Sequence, residues 1–280
     1  MLKAEDAIDL KRFPIDQIET SEGRVLLNTI RQKLSTDGCA VLKGFVKPAV
    51  IDALVKEAEQ ARPNAHSSKG KTNPYFSQDQ PDLPSDHPKR RFFNRSNSFI
   101  PADNFGDGSL LRSMYEYEPF YHFIKDALQA ENFFPYADPL ADVIVNMADE
   151  GEGFPWHFDT NNYTVTLAIQ NAEQGGDFEY APNIRVSDEN FDAVKDVLDG
   201  RSDRVKTLTL EPGDLQIFKG RYSLHRVAPL AGETIRYVAI FSFVEKEGMV
   251  GSVERTKQLY GKVLPIHYEN EGLRADDYID

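Results

Sequence analysis

Residues 154–159 read FPWHFD, and a further histidine follows much later in the segment YSLHRVA at 222–228. In the first segment His157 and Asp159 are two positions apart, so on an extended strand both side chains point to the same side of a sheet. Two imidazoles and one carboxylate can occupy one face of an octahedral iron(II) ion and leave the opposite face open. The pattern therefore predicts that His157, Asp159 and His225 bind one metal ion.

An arginine, Arg236, lies a short distance after His225, inside the apolar run TIRYVAIF at 234–241. An unpaired guanidinium is costly to bury in such a run. A carboxylate would satisfy it, because the planar guanidinium can donate two parallel hydrogen bonds to a carboxylate. We therefore expect Arg236 to bind an anionic group.

The second half of the chain has the pattern of a β protein. Short apolar runs recur with turn residues between them, which is typical of antiparallel strands. Their number and spacing favour a double-stranded β-helix over alternating strands and helices. The predicted fold class is mainly β with helical additions, built on a jelly-roll (cupin-like) core. The predicted strands are 142–147, 155–159, 163–170, 177–181, 205–210, 214–218, 223–228 and 234–244.

The first half of the chain has mostly helical periodicity. Apolar residues repeat at helical spacing, and a proline opens the second of these segments. The segment 63–88 is rich in Ser, Pro, Asn, Asp and Lys, so we expect a long loop there, and a loop of this length is often an active-site lid. The predicted elements are helices at 24–34, 48–58, 119–130 and 187–198, and a strand at 39–45.

No repeat or linker divides the sequence, and its length suits one large domain. We expect a single domain over 1–280. In this interpretation 1–139 is a mostly helical N-terminal region with the lid-like loop at 63–88, 140–245 is the jelly-roll core, and 246–280 is a C-terminal helix and tail.

Acidic residues outnumber basic ones, 45 against 32, which gives a formal net charge of −13. This balance argues against nucleic acid or an anionic membrane as a partner and suits a small cationic or zwitterionic substrate. One cysteine, Cys39, excludes an intramolecular disulfide, and the first residues lack the apolar core of a signal peptide. No apolar run approaches the roughly 18 residues that span a bilayer. We therefore expect a cytoplasmic protein.

Taken together, the His-x-Asp pair, the distal histidine and the arginine resemble the iron(II)- and 2-oxoglutarate-dependent oxygenases over residues 140–245. The resemblance implies Fe(II), 2-oxoglutarate and O₂ as cofactors, with the metal and the catalytic site at His157, Asp159 and His225. It also implies that Arg236 binds the distal carboxylate of 2-oxoglutarate. Asn146 and Thr166, on neighbouring predicted strands, are candidate hydrogen-bond partners of this co-substrate.

Within that superfamily, WHFD at 156–159, NNYTVTL at 161–167 and GGDFEY at 175–180 are most similar to the branch of free amino-acid radical halogenases and related hydroxylases. The halogenases carry Gly or Ala where this chain has Asp159, because chloride takes the vacated metal position. The resemblance therefore implies hydroxylation of an unactivated C–H bond of a free amino acid or close derivative, with release of succinate and CO₂.

Polar residues near the expected mouth of the barrel are candidates for contact with the substrate. A carboxylate-bearing substrate would find positive charge in the segment RRFFNRSN at 90–97. The alternative is that these arginines form a solvated face paired with nearby acids. The candidates are Asn161, Asn162, Tyr163, Arg226, Arg91 and Asn94, together with Arg95 and Ser96.

Two other functions remain open at this point. The same cofactors support desaturation, cyclisation or halogenation of another small metabolite. A non-catalytic, cupin-like metal-binding protein is the other alternative, and in it Arg236 would have a structural role.

Overall fold

The computed structural model describes residues 2–270, so the last ten residues of the predicted tail lie outside the described part of the chain. The helices are α1 (Ala4–Ala7), α2 (Ser21–Asp37), α3 (Pro48–Ala61), α4 (Leu110–Tyr115), α5 (Glu118–Leu128), α6 (Phe191–Leu198), α7 (Val253–Tyr260) and α8 (Pro265–Glu269). The strands are β1 (Cys39–Leu42), β2 (His66–Thr72), β3 (Phe93–Ile100), β4 (Phe134–Pro135), β5 (Val143–Ala148), β6 (Phe154–His157), β7 (Thr164–Gln170), β8 (Gln174–Gly175), β9 (Phe178–Ala181), β10 (Lys206–Leu208), β11 (Leu215–Phe218), β12 (Leu224–Val227), β13 (Leu230–Ala231) and β14 (Arg236–Val244).

Two antiparallel sheets form the centre of the molecule. Within residues 2–270, the major sheet has eight strands in the order β1-β11-β7-β14-β5-β3-β2, with β4 paired to β14. The minor sheet has the order β10-β9-β12-β6. Side chains of both sheets line one shared cavity, so the cavity lies between the sheets. This is the mainly β, jelly-roll arrangement that the strand pattern predicts.

Strand β14 shows how the major sheet separates two environments. Successive side chains point to opposite faces of a strand, so a strand between two buried layers is apolar on both faces. Toward the cavity it presents Arg236, Val238, Ile240 and Ser242. Toward the main hydrophobic core it presents Tyr237, Ala239, Phe241 and Phe243. The polar residues of this strand therefore lie on the cavity side.

Helices from the first half of the chain cover the outer face of the major sheet. The helix α2 begins after Thr20, whose hydroxyl accepts a hydrogen bond from the amide of Gly23 at 3.2 Å, and ends at Gly38 with φ of 63°. Its buried side chains join those of α3 and α5 against the sheet. The apolar stripes of these helices, which the periodicity predicts, thus form part of the main core.

The segment 63–88, expected as a loop, contains the strand β2. This strand pairs with β3 along its whole length, from His66 opposite Phe99 to Thr72 opposite Phe93. Its sequence HSSKGKT has no apolar alternation, because β2 is at the edge of the sheet and is mostly exposed. The expectation of a continuous loop was therefore wrong for residues 66–72.

The N-terminal region also contributes more to the sheet than its helical periodicity suggests. Strand β1 pairs with β11, and β3 pairs with β5, so both belong to the sheet formed by the second half of the chain.

The predicted helix at 187–198 starts later, at Phe191, after Asn190 in a left-handed conformation. Among the described residues, no helix is both long and apolar enough to cross a membrane.

Candidate active site

The two histidines predicted to bind metal face each other across the minor sheet. Strands β6 and β12 are antiparallel, and His157 lies directly opposite His225, with ring centroids 4.1 Å apart. The Nδ1 atom of each ring lies near a backbone carbonyl, Pro155 O at 2.8 Å and Ser223 O at 2.9 Å. A proton on Nδ1 satisfies these contacts, so each Nε2 presents a free lone pair.

Asp159 joins the histidines from outside the strand. Strand β6 ends at His157, and the amide of Asp159 donates to the carbonyl of Gly220 at 3.1 Å instead of continuing the ladder with β12. Its Oδ1 lies 3.4 Å from His157 Nε2 and 3.3 Å from His225 Nε2. The three groups meet as predicted, with Asp159 two residues beyond His157 and just past the end of β6.

The site favours the protonation states that bind metal. Burial lowers the pKa of His157 to about 4, and the nearby His225 contributes to the shift. For Asp159 burial acts in the opposite direction, but the two histidines outweigh it and hold the pKa of the carboxyl well below its usual value. At neutral pH the site therefore offers a neutral imidazole at His157 beside an ionised carboxylate, and metal binding requires such deprotonated ligands.

The geometry of this cluster fits a six-coordinate ferrous ion. The three ligand atoms lie within 4.8 Å of one another. Neighbouring ligands around a metal with bonds of roughly 2.1 Å lie about 3 Å apart, close to the separations seen here. Two imidazoles with one carboxylate on one face are the donor set of non-haem iron(II) oxygenases. The remaining coordination positions would face the cavity, because all three side chains line it.

The cavity has a volume of about 220 Å³ and a mostly apolar wall. A site of this kind excludes water and leaves a small number of polar groups to orient a ligand. The major sheet contributes Asn97, Phe99, Ile144, Asn146, Thr166, Gln216, Val238 and Ile240. The minor sheet contributes Phe154, Phe178 and Val227 in addition to the two histidines.

Arg236 points into this cavity from the first position of β14. It is 7% exposed, and burial lowers the pKa of its guanidinium to about 10, which leaves it protonated at neutral pH. No carboxylate among residues 2–270 lies within ion-pair distance of it, and an unpaired buried cation is costly. An anionic ligand in the cavity would provide its counter-charge.

The structure brings Asn146 and Thr166 to the same cavity as Arg236. The side-chain amide of Asn146 donates to Ser98 O at 3.4 Å, and the hydroxyl of Thr166 donates to Gln216 Oε1 at 3.0 Å. Both residues are therefore in the right region to contact a bound co-substrate.

The predicted substrate residues are not all placed at the cavity. Asn161 lines it, whereas Asn162 and Tyr163 are outside its wall. Arg226 follows His225 on β12 and so points to the opposite face of the minor sheet. There it pairs with Glu179 at 2.6 Å and lies over the ring of Trp156.

The two candidates that precede the barrel also lie elsewhere. Arg91 forms an ion pair with Asp199 at 2.6 Å, and Asn94 is exposed on the outer face of β3. These placements do not support substrate contacts for the two residues. The alternative that Arg91 pairs with a nearby acid agrees with its position.

Several cavity residues have signals that the sequence interpretation did not use. Asn97 and Phe99, two positions apart on β3, line the cavity, and this spacing could have been found had 93–100 been recognised as a strand. Phe76, with φ of 55°, packs on His157 with ring centroids 5.5 Å apart. The guanidinium carbon of Arg255, on α7, lies 4.0 Å from the centroid of the Phe76 ring. No local sequence pattern predicts that the loop with Phe76 meets the helix with Arg255.

Comparison with solved structures defines the class of this fold. Three structures each cover 79% of the chain: a 2OG-Fe(II) oxygenase family oxidoreductase from Burkholderia pseudomallei, the non-heme alpha ketoglutarate dependent epimerase SnoN of nogalamycin biosynthesis, and AviO1 from Streptomyces viridochromogenes Tue57. Their TM-scores are 0.52, 0.56 and 0.55, with 13%, 10% and 14% identity over 91%, 84% and 95% of those chains. At these identities the similarity shows the fold, which is that of the 2-oxoglutarate- and iron(II)-dependent oxygenases.

The sequence places the chain within this class. The profile of the family described as HalD, Halogenase D, matches residues 23–260, so the protein belongs to the Halogenase D family. No curated protein matches the chain. The predicted superfamily is thereby confirmed, and the predicted halogenase-related branch agrees with the match. The cofactors of this protein are Fe(II) and 2-oxoglutarate, with O₂ as co-substrate. The cluster of His157, Asp159 and His225 fits the ferrous ion.

Proposed function

We propose that this protein is a 2-oxoglutarate-dependent dioxygenase that hydroxylates an unactivated C–H bond of a free amino acid or close derivative. In this reaction the substrate C–H bond, 2-oxoglutarate and O₂ become a C–OH group, succinate and CO₂. The bound iron and 2-oxoglutarate supply the oxidising chemistry, and the protein supplies binding, orientation and exclusion of water. The family match and the facial cluster of ligand atoms support this class of reaction.

Different residues of the chain have different roles in this reaction. His157, Asp159 and His225 hold the metal on one face. Arg236 binds the distal carboxylate of 2-oxoglutarate, and the hydroxyl and amide of Thr166 and Asn146 are hydrogen-bonding groups beside it. The apolar wall of the cavity keeps water away from the reacting C–H bond, which lowers the chance of side reactions.

Two buried polar groups on β3 carry the proposal that the substrate is an amino acid. Arg95 and Asn97 are each 2% exposed, and alternation puts them on the same face of the strand, the face on which Asn97 lines the cavity. Arg95 Nη2 donates to Ser68 Oγ at 2.6 Å, but Nε and Nη1 of Arg95 and Oδ1 of Asn97 have no protein partner among the described residues. Buried polar groups of this kind are normally hydrogen-bonded.

An α-amino acid would satisfy both groups at once. A guanidinium matches a carboxylate in shape and charge, and an amide oxygen accepts a hydrogen bond from an ammonium group. Asn97 lines the cavity, and the guanidinium carbon of Arg95 lies 5.9 Å from the ring centroid of Phe154, another wall residue. The substrate backbone would therefore bind along β3 and direct its side chain toward the metal.

The first experiment is a screen of amino acids for substrate-stimulated succinate release by iron-reconstituted protein. We expect stimulation by one amino acid or a small set, and a product heavier by one oxygen atom. The variant His225→Ala, which lacks one metal ligand, should abolish turnover. A product without added oxygen would favour desaturation or cyclisation, and no turnover at all would favour a non-catalytic metal-binding protein.

The second experiment tests the role of Arg95. We expect Arg95→Gln to raise KM for the amino acid at least roughly tenfold, because a charge-assisted bond to the carboxylate is lost. The control Arg24→Gln changes an exposed arginine of α2 that pairs with Glu19 at 3.2 Å, and should leave KM unchanged. An unaltered KM for Arg95→Gln would contradict the proposed amino-acid site.

Halogenation is the second candidate function, because the family is described as a halogenase family. The residue at position 159 argues against it. Asp159 brings a carboxylate oxygen to the metal face, where the halogenases carry Gly or Ala and bind chloride. We expect no chlorinated product from the wild-type protein in a chloride-rich, bromide-free assay, and detection of one by mass analysis would contradict hydroxylation as the sole outcome.

A further inference from the structure

The two oxygens of the Asp159 carboxylate lie in different environments. Oδ1 faces the Nε2 atoms of both histidines, at 3.4 and 3.3 Å. Oδ2 points the other way and accepts a hydrogen bond from the hydroxyl of Thr164. The carboxylate is therefore oriented so that one oxygen faces the metal position and the other is engaged by the protein.

Gly220 provides the space that this orientation needs. A Cβ atom built on Gly220 would lie 2.6 Å from Cγ and 2.9 Å from Cβ of Asp159, and it would overlap Oδ2. Contacts this short are not tolerated, so any side chain at 220 would displace the carboxylate. The backbone of Gly220 is not left-handed, which means that space, not backbone conformation, requires a glycine here.

Thr164 lies between two paired strands. Thr164 is the first residue of β7 and pairs with Phe218 on one side and with Ser242 on the other. Phe218 also packs against the ring of His225, with centroids 4.8 Å apart. The major sheet therefore sets the position of the hydroxyl relative to the metal ligands.

We propose that Thr164 and Gly220 are positioning residues that make Asp159 a one-oxygen ligand of the metal. The proposal rests on the proposed function, because it assumes an iron site that also binds 2-oxoglutarate and O₂. Three protein ligands, two oxygens of 2-oxoglutarate and O₂ fill six positions. A carboxylate that bound through both oxygens would take the position needed by O₂. The hydrogen bond from Thr164 to Oδ2 prevents this.

The same two residues form a pocket around the carboxylate of Asp159. The space beside Gly220 is shaped to the carboxylate, and Thr164 supplies its hydrogen-bond donor. Together they keep the carboxylate on the metal face, in the position that a halide would need. Residues that hydrogen-bond to a metal ligand commonly change metal affinity ten- to a hundredfold when they are replaced.

The first test measures metal binding without any amino acid. Chelator competition gives the affinity for Fe(II), and the visible absorption of the Co(II)-loaded protein reports the coordination number. Thr164→Val is close in shape to threonine but lacks the donor, so we expect a roughly tenfold or greater loss of affinity and an altered Co(II) spectrum. Thr164→Ser retains the donor and should recover both. A valine variant with the affinity and spectrum of the wild type would overturn the role of Thr164.

The second test is a double-mutant cycle between positions 159 and 220. We expect Gly220→Ala to weaken metal binding at least roughly tenfold and to lower the Tm of the full chain, because its methyl group meets the carboxylate. In the background of Asp159→Gly the same substitution should have no further effect on Tm. If Gly220→Ala fails to fold, the double variant should fold, which keeps the test decisive. Equal losses of Tm in both backgrounds would overturn the proposal.

These assays are independent of the substrate. A failed amino-acid screen would contradict the proposed substrate. The metal affinities, the Co(II) spectra and the double-mutant cycle would still test the roles of Thr164 and Gly220. Conversely, active protein with no coupling between positions 159 and 220 would leave the proposed function standing and refute the role of this pocket.

Discussion

At the scale of single residues, Arg236 at the cavity and Arg95 on β3 are buried cations whose burial does not favour folding. Arg236 is protonated, buried and without a carboxylate partner among the described residues, and Arg95 has two nitrogen atoms in a similar state. Such groups lower stability unless a ligand satisfies them. Their presence agrees with the proposed binding of anionic ligands, since functional sites commonly contain groups that do not favour stability.

Replacement of Arg236 should separate its effect on ligand binding from its effect on stability. We expect Arg236→Met to raise KM for 2-oxoglutarate at least roughly tenfold, because a charge-assisted contact with the distal carboxylate is lost. The free energy of unfolding of the ligand-free protein should stay the same or rise by about 1 kcal/mol, because an apolar side chain replaces a buried charge. Steady-state kinetics and urea denaturation measure the two quantities. An unchanged KM would show that Arg236 does not bind the co-substrate.

The thiol of Cys39 provides a chemical test of burial. Cys39 is 4% exposed, and burial raises the pKa of its thiol to about 12. Because the thiolate is the reactive form, we expect no alkylation by iodoacetamide in the native protein between pH 7 and pH 9, where the thiol stays protonated. The thiol should react fully after denaturation in urea. Rapid alkylation of native protein, detected by mass analysis, would contradict this placement.

At the scale of secondary-structure elements, a buried pair links helix α8 to the segment that precedes β5. His267 of α8 lies 3.0 Å from the carboxylate of Asp138, and both residues are almost completely buried. The same carboxylate accepts hydrogen bonds from the amides of Gly251 and Leu140. Asp138 also lines the cavity, as does Arg255 of α7, so this pair connects the helices to the active-site wall.

Loss of this pair should destabilise the fold. We expect His267→Ala to lower the free energy of unfolding by about 1 to 3 kcal/mol, because it leaves a buried carboxylate oxygen with one partner fewer. The control His122→Ala removes an exposed histidine whose ring is 3.4 Å from Glu118, and should change stability by less than about 0.5 kcal/mol. Urea denaturation measures both. Equal effects of the two substitutions would show that the buried pair contributes nothing.

At the scale of the whole molecule, the two halves of the chain share one sheet. Strands β1, β2 and β3 come from the first half, and they are integrated in the major sheet with strands of the second half. The helices α2, α3 and α5 pack on the outer face of that sheet in the main core. Neither half could bury its apolar surface without the other.

We therefore expect the protein to unfold as one domain. Thermal unfolding followed by far-ultraviolet circular dichroism and by the fluorescence of Trp156 should give one transition with the same midpoint, because tryptophan and helices belong to one cooperative unit. Two separate transitions would contradict the prediction of a single domain over 1–280.

The interpretation of the sequence was most successful where chemistry and local periodicity coincide. His157, Asp159 and His225 meet, and Arg236 points into their cavity, because residue type and strand spacing together encode these positions. It failed at β2, whose polar edge sequence carries no apolar alternation. It also assigned Arg226 to the substrate, although its neighbour His225 already occupies the cavity face of the same strand.

The amino-acid sequence alone was sufficient to specify the β-rich fold class and the candidate metal-binding residues. Strand periodicity and the His-x-Asp spacing depend on neighbours close in sequence, and His225 and Arg236 stand out by residue type within apolar runs. The tertiary structure was needed to show which distant segments lie against the site. The contact of Asp159 with Gly220, and the position of Arg255 over Phe76, join segments that are far apart in the chain. Such contacts depend on how sheets and helices pack in three dimensions, and no local pattern of residues encodes that packing.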